Sequence, residues 1–114
     1  MKHEKSLLSG NTAMLLLALL KDRDMYGYEM VEELARRSDD TFRLKEGTLY
    51  PLLHTLEKEK YVETYFTKTP GGRERRYYRL TEIGRGQLEV KTREWRVFSE
   101  KVSAVIGCAV PAGK

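Results

Sequence analysis

Apolar residues recur at three- and four-residue steps in the first half of the chain, and this spacing predicts three amphipathic helices, over residues 11–21, 27–37 and about 46–59. The first helix is apolar nearly all round, so we expect it to pack between the domain core and a further element, such as a partner subunit. The third has a regular leucine stripe from Leu49 to Leu56, which leaves small and polar residues on its outer side. That outer side comprises Thr48, Tyr50, Pro51, His54 and Thr55.

The pattern changes to a strand-like period in the middle of the chain. Residues 61–67 alternate between apolar and polar, residues 75–80 form a second such run, and Thr69-Pro-Gly-Gly between them is a turn sequence. A short extended segment is also expected at residues 42–44. Three helices followed by a hairpin predict a winged helix-turn-helix in a mainly α fold. In that fold the third helix reads the major groove, and the hairpin contacts the DNA backbone or the adjacent minor groove.

The last predicted helix starts at Thr81, a residue suited to capping, and ends at Gly107. Its apolar residues follow one side, which a single helix projecting from a small domain cannot bury by itself. We therefore expect a homodimer that pairs this helix with its copy, crossing loosely because Lys91 interrupts the seam, with the first helix also packing there. The predicted dimer contacts are Leu15, Leu19, Leu88, Trp95, Phe98, Val102 and Val105.

Length and charge sharpen this picture. A chain of 114 residues is suited to one modest core, and we expect a DNA-binding domain over residues 1–80, a dimerisation helix over 81–107 and a tail over 108–114. The net charge of the chain is +4. The hairpin alone carries the same charge, because five basic residues oppose the single Glu74; they are Lys68, Arg73, Arg75, Arg76 and Arg79. A cationic hairpin on a neutral body is typical of a protein that binds phosphates, although a solvated surface loop can have the same composition.

Several classes of protein are disfavoured by the sequence. The longest apolar run, residues 13–20, is about half the length of a membrane-spanning helix. A single cysteine, Cys108, cannot form an intrachain disulfide, and with only His3 and His54 we expect no metal site. No catalytic grouping or phosphate-binding glycine loop is present, so we expect neither an enzyme nor a cofactor. These features suit a cytoplasmic protein.

Three separated motifs resemble the PadR family of bacterial transcriptional regulators. They are Tyr26-Gly-Tyr-Glu-Met, then Gly47-Thr-Leu-Tyr-Pro-Leu-Leu-His-Thr-Leu-Glu-Lys-Glu, then Gly71-Gly-Arg-Glu-Arg-Arg-Tyr-Tyr-Arg-Leu-Thr-Glu-Ile-Gly. Their order and spacing are more specific than a winged helix alone, which would also suit MarR- or ArsR-type repressors. The short C-terminal helix resembles the compact members of the family. One departure is Lys60, near which the family often has a glycine.

The resemblance implies a homodimeric repressor of a palindromic DNA operator that many members release on binding a small aromatic or drug-like molecule. It matches the outer face of the third helix, the tyrosines before it and the hairpin turn to the family's DNA-contacting positions. With the flanking lysines, the predicted DNA-binding set is Tyr26, Tyr28, Lys45, Thr48, Tyr50, Pro51, His54, Lys68, Gly71, Gly72, Arg73, Arg75 and Arg76. Alternatively, Tyr28 packs beneath its helix and His54 is only solvated.

Trp95 carries the effector hypothesis. One tryptophan from each subunit across a two-fold axis would present two aromatic surfaces to a planar ligand, and we assign the effector site to Leu16, Trp95 and Phe98. The alternative is that Trp95 is a packing anchor of the dimer. Two other functions remain open at this point: a regulator without an effector, and a winged-helix adaptor that binds another protein.

Overall fold

The computed structural model describes residues 11–108, and this part of the chain forms four α-helices and three β-strands. In chain order they are α1 (Thr12–Asp22), β1 (Met25–Tyr26), α2 (Gly27–Arg37), α3 (Glu46–Lys58), β2 (Val62–Lys68), β3 (Glu74–Leu80) and α4 (Glu82–Ile106). The predicted winged helix-turn-helix with a C-terminal helix is confirmed. The expectations that concern His3 and most of the tail lie outside the described residues.

The sheet has three strands rather than the two of the predicted hairpin. Its order is β1-β3-β2, all antiparallel, with Met25 opposite Tyr78 and Val62 opposite Leu80. β1 was missed because two residues are too few to show a period of two. The extended segment expected at residues 42–44 forms no strand, and its Leu44 is instead buried in the core.

The core is built from leucine and methionine side chains of the first three helices, together with the inner face of the sheet. Leu16, Met30, Leu49 and Leu53 have no exposed surface. α1 packs against α2, β3 and α4 of the same chain. The further element predicted to cover α1 is therefore largely the α4 of its own chain, which explains why an almost wholly apolar helix is buried without a partner.

The turn between α3 and β2 places a lysine in a conformation that favours glycine. The Tyr61 amide donates to the Leu56 carbonyl at 2.9 Å and the Lys60 amide to the Glu57 carbonyl at 3.0 Å, the pattern of a Schellman motif. Lys60 has a φ of 69°, in the left-handed region. The turn therefore has a geometry that favours glycine, although a lysine occupies it here.

α4 belongs to the body of the domain at its start and leaves it afterwards. Thr81 caps the helix, because its Oγ1 accepts a hydrogen bond from the Gly84 amide at 3.0 Å. Gly84 is buried so closely against the Tyr61 carbonyl that a Cβ would lie 2.9 Å from the carbonyl carbon and nearer still to the oxygen. Leu88 is also buried. Beyond it the large apolar residues of α4 are exposed, and the 25-residue helix extends the molecule to 55 Å in its longest dimension.

Candidate nucleic-acid interface

The outer face of α3 is open to solvent along the predicted stretch. Thr48, Tyr50, Pro51 and His54 are all exposed, and exposed Lys45 occupies the N-cap position without a capping hydrogen bond from its side chain. Their leucine neighbours on the opposite side are buried or half-buried, so the helix presents two chemically distinct faces. Pro51 is the sixth residue of α3, so its ring removes one backbone hydrogen bond just past the first turn of the helix.

Tyr50 also links α3 to the beginning of α2. Its ring lies directly over Gly27, where a Cβ would be 2.8 Å from the Tyr50 Cζ atom and closer to the hydroxyl oxygen. Tyr50 nevertheless remains 44% exposed. The lack of a side chain at Gly27 thus sets the position of Tyr50, a predicted DNA contact. The sequence pattern did not indicate this role for Gly27.

The two tyrosines around the start of α2 differ in their surroundings. Tyr26 is half-buried at the cap position, where its amide donates to the Glu29 carboxylate at 3.2 Å. Tyr28 is 60% exposed, so the alternative that it packs beneath the helix is wrong. A hydrogen bond with Glu32 raises the pKa of the Tyr28 hydroxyl above its ordinary value.

β2, β3 and the turn of residues 69–73 between them form the wing. The turn is closed by hydrogen bonds from the Thr69 amide to the Arg73 carbonyl at 2.8 Å and from the Gly72 amide to the Thr69 carbonyl at 2.9 Å. Gly72 has a φ of 88°, in the left-handed region that favours a residue without a Cβ. The turn is exposed at Gly71, Gly72 and Arg73, so the wing ends in a narrow cationic tip.

The arginines of β3 do not all extend into solvent. The Arg75 guanidinium lies 4.1 Å from the centre of the Tyr26 ring, a cation–π distance. Arg76 faces the opposite side of the sheet, because alternate strand residues point in opposite directions, and its Nη2 donates to Glu57 Oε1 at 3.2 Å. The sequence pattern indicated both arginines but not Glu57, whose contact depends on how α3 packs beside the wing.

Arg79, the fifth basic residue of the hairpin, is held by two carboxylates. Its guanidinium lies 3.4 Å from the carboxylates of both Asp24 and Glu63. Asp24 also accepts a hydrogen bond from the Tyr65 hydroxyl at 2.7 Å, which raises the pKa of that tyrosine. Arg79 therefore stabilises the outer face of the sheet, and the unneutralised positive charge is concentrated towards the tip.

The exposed part of α4 carries an apolar stripe. Trp95 is 45% exposed and Phe98 60%, with their ring centres 6.0 Å apart, and Val102 and Val105 continue the same side. Three residues that the sequence assigned to the dimer or effector contacts lie elsewhere: Leu16, Leu19 and Leu88 are buried in the core of the single chain. Their apolar periodicity reflects packing within one chain, which spacing alone cannot distinguish from packing between chains.

Neither a membrane-spanning helix nor a metal-binding cluster is found within residues 11–108. No helix there is long and apolar enough to cross a membrane. In the same part of the chain, no cluster of three or more His, Cys, Asp or Glu side chains is arranged to hold a metal ion.

Comparison with known proteins agrees with the architecture. A model of the transcriptional regulator PadR-like family matches residues 16–90. A transcriptional regulator of Mycobacterium tuberculosis is 35% identical over 86 residues, which are 75% of this chain and 74% of the relative.

Solved structures show the same similarity along most of the chain. A PadR family transcription regulator from Clostridium difficile is 36% identical with a TM-score of 0.69, covering 82% of this chain and 95% of its own. A PadR-like transcriptional regulator from Bacillus cereus is 30% identical with a TM-score of 0.77, covering 95% of this chain and 98% of its own. The chain therefore belongs to the PadR-like family of transcriptional regulators and is not an enzyme.

Proposed function

We propose that this protein is a homodimeric, sequence-specific DNA-binding transcriptional repressor. The observation that supports this most directly is the exposed outer face of α3, with Thr48, Tyr50, Pro51 and His54, on the same domain as a wing with a cationic tip. Hydroxyl, phenol and imidazole groups can hydrogen-bond to base edges or phosphates, and arginines bind phosphates or a narrow minor groove.

The start of α3 has the shape that groove insertion requires. Gly47 and Pro51 keep its outer surface narrow, and a Gly47 Cβ would meet no atom within 4 Å beyond its chain neighbours and the nearby helix backbone. A helix of this kind enters a major groove about 12 Å wide. Tyr26 and Tyr28 at the start of α2 lie where a helix-turn-helix approaches the DNA backbone, so we assign them to phosphate contacts.

The exposed stripe of α4 supports the homodimer. Trp95, Phe98, Val102 and Val105 form an unpartnered apolar face of the kind that marks a protein contact. We propose that a second copy covers it, with Leu15, which is half-buried on α1, at its margin. The first turns of α4 then belong to the DNA-binding unit, and the remainder of residues 81–107 forms the dimerisation helix.

An effector site fits at this dimer contact. Paired helices would bring together two Trp95 rings and two Phe98 rings, and such a pair can hold a planar aromatic ligand. Derepression would follow if the ligand changed the spacing of the two α3 helices on DNA. Leu16 is excluded from this site because it has no exposed surface.

Fluorescence anisotropy with the duplex upstream of the protein's own gene tests the proposal. We expect two subunits per duplex and a log–log salt slope near −0.9 for each phosphate neutralised. Arg73→Gln should weaken binding, whereas Arg93→Gln, an equal charge change on the exposed part of α4, should have a much smaller effect. Binding no stronger than to a random duplex, without salt dependence, would favour the protein-adaptor function instead.

Trp95 fluorescence separates the two roles of that residue. Quenching by a planar aromatic compound, together with release of the duplex, would establish an effector site. Unchanged fluorescence across a panel of such compounds, with DNA binding intact, would identify Trp95 as a packing anchor of an effector-independent regulator. A monomer by light scattering at micromolar concentration would contradict the dimer.

A further inference from the structure

The basic residues of the wing fall into two groups. Arg76 is paired with Glu57, and Arg79 with Asp24 and Glu63. Within residues 11–108, none of the remaining three basic residues of the hairpin forms an ion pair with a carboxylate; they are Lys68, Arg73 and Arg75. An arginine that is already paired with a carboxylate offers a phosphate less net positive charge than an unpaired one, so the two groups are expected to respond differently to DNA.

Glu57 contacts both strands of the wing from α3. Its carboxylate accepts hydrogen bonds from Arg76 Nη2 on β3, at 3.2 and 3.4 Å, and from Thr64 Oγ1 on β2, at 3.4 Å. Glu57 lies nine residues after Thr48, about 13 Å along the helix by the rise of 1.5 Å per residue. The contact therefore lies towards the far end of the helix whose beginning carries the exposed polar face.

Apart from the cation–π contact of Arg75 with Tyr26, few contacts join the outer half of the wing to the rest of the domain. Val62, Tyr78 and Leu80, at the base, are buried in the core, but Phe66, opposite Arg76, is 59% exposed. Arg76 lies between the buried and the exposed apolar residues, since its guanidinium is 5.8 Å from the Phe66 ring and 5.7 Å from the Tyr78 ring. The Glu57–Arg76 pair thus lies where the apolar packing of the wing ends and its solvent-exposed part begins.

We propose that Glu57 is a positioning residue that holds the wing at a fixed separation from α3 through Arg76 and Thr64. Arg76 then joins the wing to α3 rather than contacting a phosphate, and the wing binds phosphates through Lys68, Arg73 and Arg75. This inference rests on the proposed DNA-binding function and revises one of its predicted contacts. Fixing the wing relative to α3 matters for the operator, where base and backbone contacts must be made together, and much less for random DNA.

The expected effect is a loss of discrimination. Because the side chains of the pair are 46% and 33% exposed, its removal changes stability little. Because the contribution of such a partly exposed pair is modest, we expect its removal to lower the ratio of operator to random-duplex affinity by about two- to fivefold.

The experiment measures affinity for the duplex upstream of the gene and for a random duplex of equal length, over a range of salt concentrations. Arg73→Gln should reduce the salt slope by about one for each wing that contacts DNA, and Arg76→Gln should leave the slope unchanged but lower the affinity ratio. Glu57→Gln should lower the ratio as Arg76→Gln does, and the double variant should be no worse than either. Glu59→Gln, an exposed carboxylate at the end of the same helix, is the matched control and should leave the ratio unchanged.

Two results would overturn the proposed positioning role of Glu57 and Arg76. One is a fall in salt slope for Arg76→Gln equal to that for Arg73→Gln. The other is an unchanged affinity ratio for Glu57→Gln. A double-mutant cycle on the thermal stability of the DNA-free protein tests the contact separately, since a small coupling between Glu57 and Arg76, about 1–4 °C in Tm, is expected there and its absence counts against the proposed role. If the wild-type protein bound no DNA, the proposed function would fail, while this cycle would still decide whether the contact exists.

Discussion

The close approach of α4 to the start of β2 leads to a prediction that the same substitution at two neighbouring glycines has opposite effects. Gly84 and Gly86 are two residues apart in α4. A Cβ at Gly84 would be 2.8 Å from Leu80 Cδ1 and 2.9 Å from the Tyr61 carbonyl carbon, whereas at Gly86 no atom lies within 4 Å. Gly84→Ala and Gly86→Ala therefore form a matched pair.

The magnitude follows from three contributions. Overpacking costs about 1–3 kcal/mol, and the upper end applies at Gly84 because the obstruction is backbone. Moving the Tyr61 carbonyl also weakens the bond that it accepts from the Thr81 amide at 3.1 Å, a loss of about 1 kcal/mol. Alanine recovers about 1 kcal/mol of helix propensity. Gly84→Ala should therefore lower the free energy of unfolding by about 3 kcal/mol, and Gly86→Ala should raise it by about 0.5–1 kcal/mol.

Thermal unfolding followed by circular dichroism, at one fixed protein concentration, checks both values. For a domain near 100 residues, about 4 °C of Tm per kcal/mol gives a fall of about 12 °C for Gly84→Ala and a rise of about 2–4 °C for Gly86→Ala. Equal Tm values for the two variants would refute the argument, because they would show that α4 does not dock on Tyr61 at this distance.

Three further predictions concern the turn after α3, the contact beneath Tyr50 and an ion-pair cluster on α2. Lys60→Gly should stabilise the protein by about 1 kcal/mol, because it removes the backbone strain of a lysine in the left-handed region. Lys58→Gly, inside the helix, should destabilise the protein by about as much. A lower Tm for both variants in thermal unfolding would contradict this. Gly27→Ala should leave the Tm nearly unchanged, since the Tyr50 ring can move aside, but should weaken operator binding by anisotropy; unchanged binding would show that the position of Tyr50 does not matter. Hydrogen bonds from Arg36 and Arg37 lower the pKa of Glu33 from 4.5 to about 2, so the charged form stabilises the fold above its ordinary pKa and this contribution is lost as the pH falls towards 2. Glu33→Gln should therefore have a lower Tm than wild type at pH 7, with a gap that closes between about pH 5 and 2, and a gap independent of pH would exclude this cause.

The helices were predictable because their signals are local. The leucine stripe of α3 and the cap at Thr81 involve residues within two turns of one another, and both agree with the structure. The positive φ of Lys60 could not be predicted from a lysine, since the Schellman hydrogen bonds that impose it depend on where α3 stops and β2 begins.

The residues of the candidate site were predictable, but the contacts between them were not. The cationic wing and the outer face of α3 follow from charge and period, whereas the division of the wing arginines does not. Arg76 meets Glu57 across 19 residues of sequence, and the approach of Gly84 to Tyr61 likewise joins separate elements.

The sequence by itself determined the order of the helices and of the two wing strands, the excess charge of the wing and the apolar side of α4, because each depends on residues that are neighbours along one helix or strand. Only the tertiary structure decided that β1 joins the sheet, which apolar residues face the core of the chain, which arginine has a carboxylate partner and which glycine must remain a glycine. Those properties are set by distances between elements, and such distances exist only after the helices have packed against the sheet.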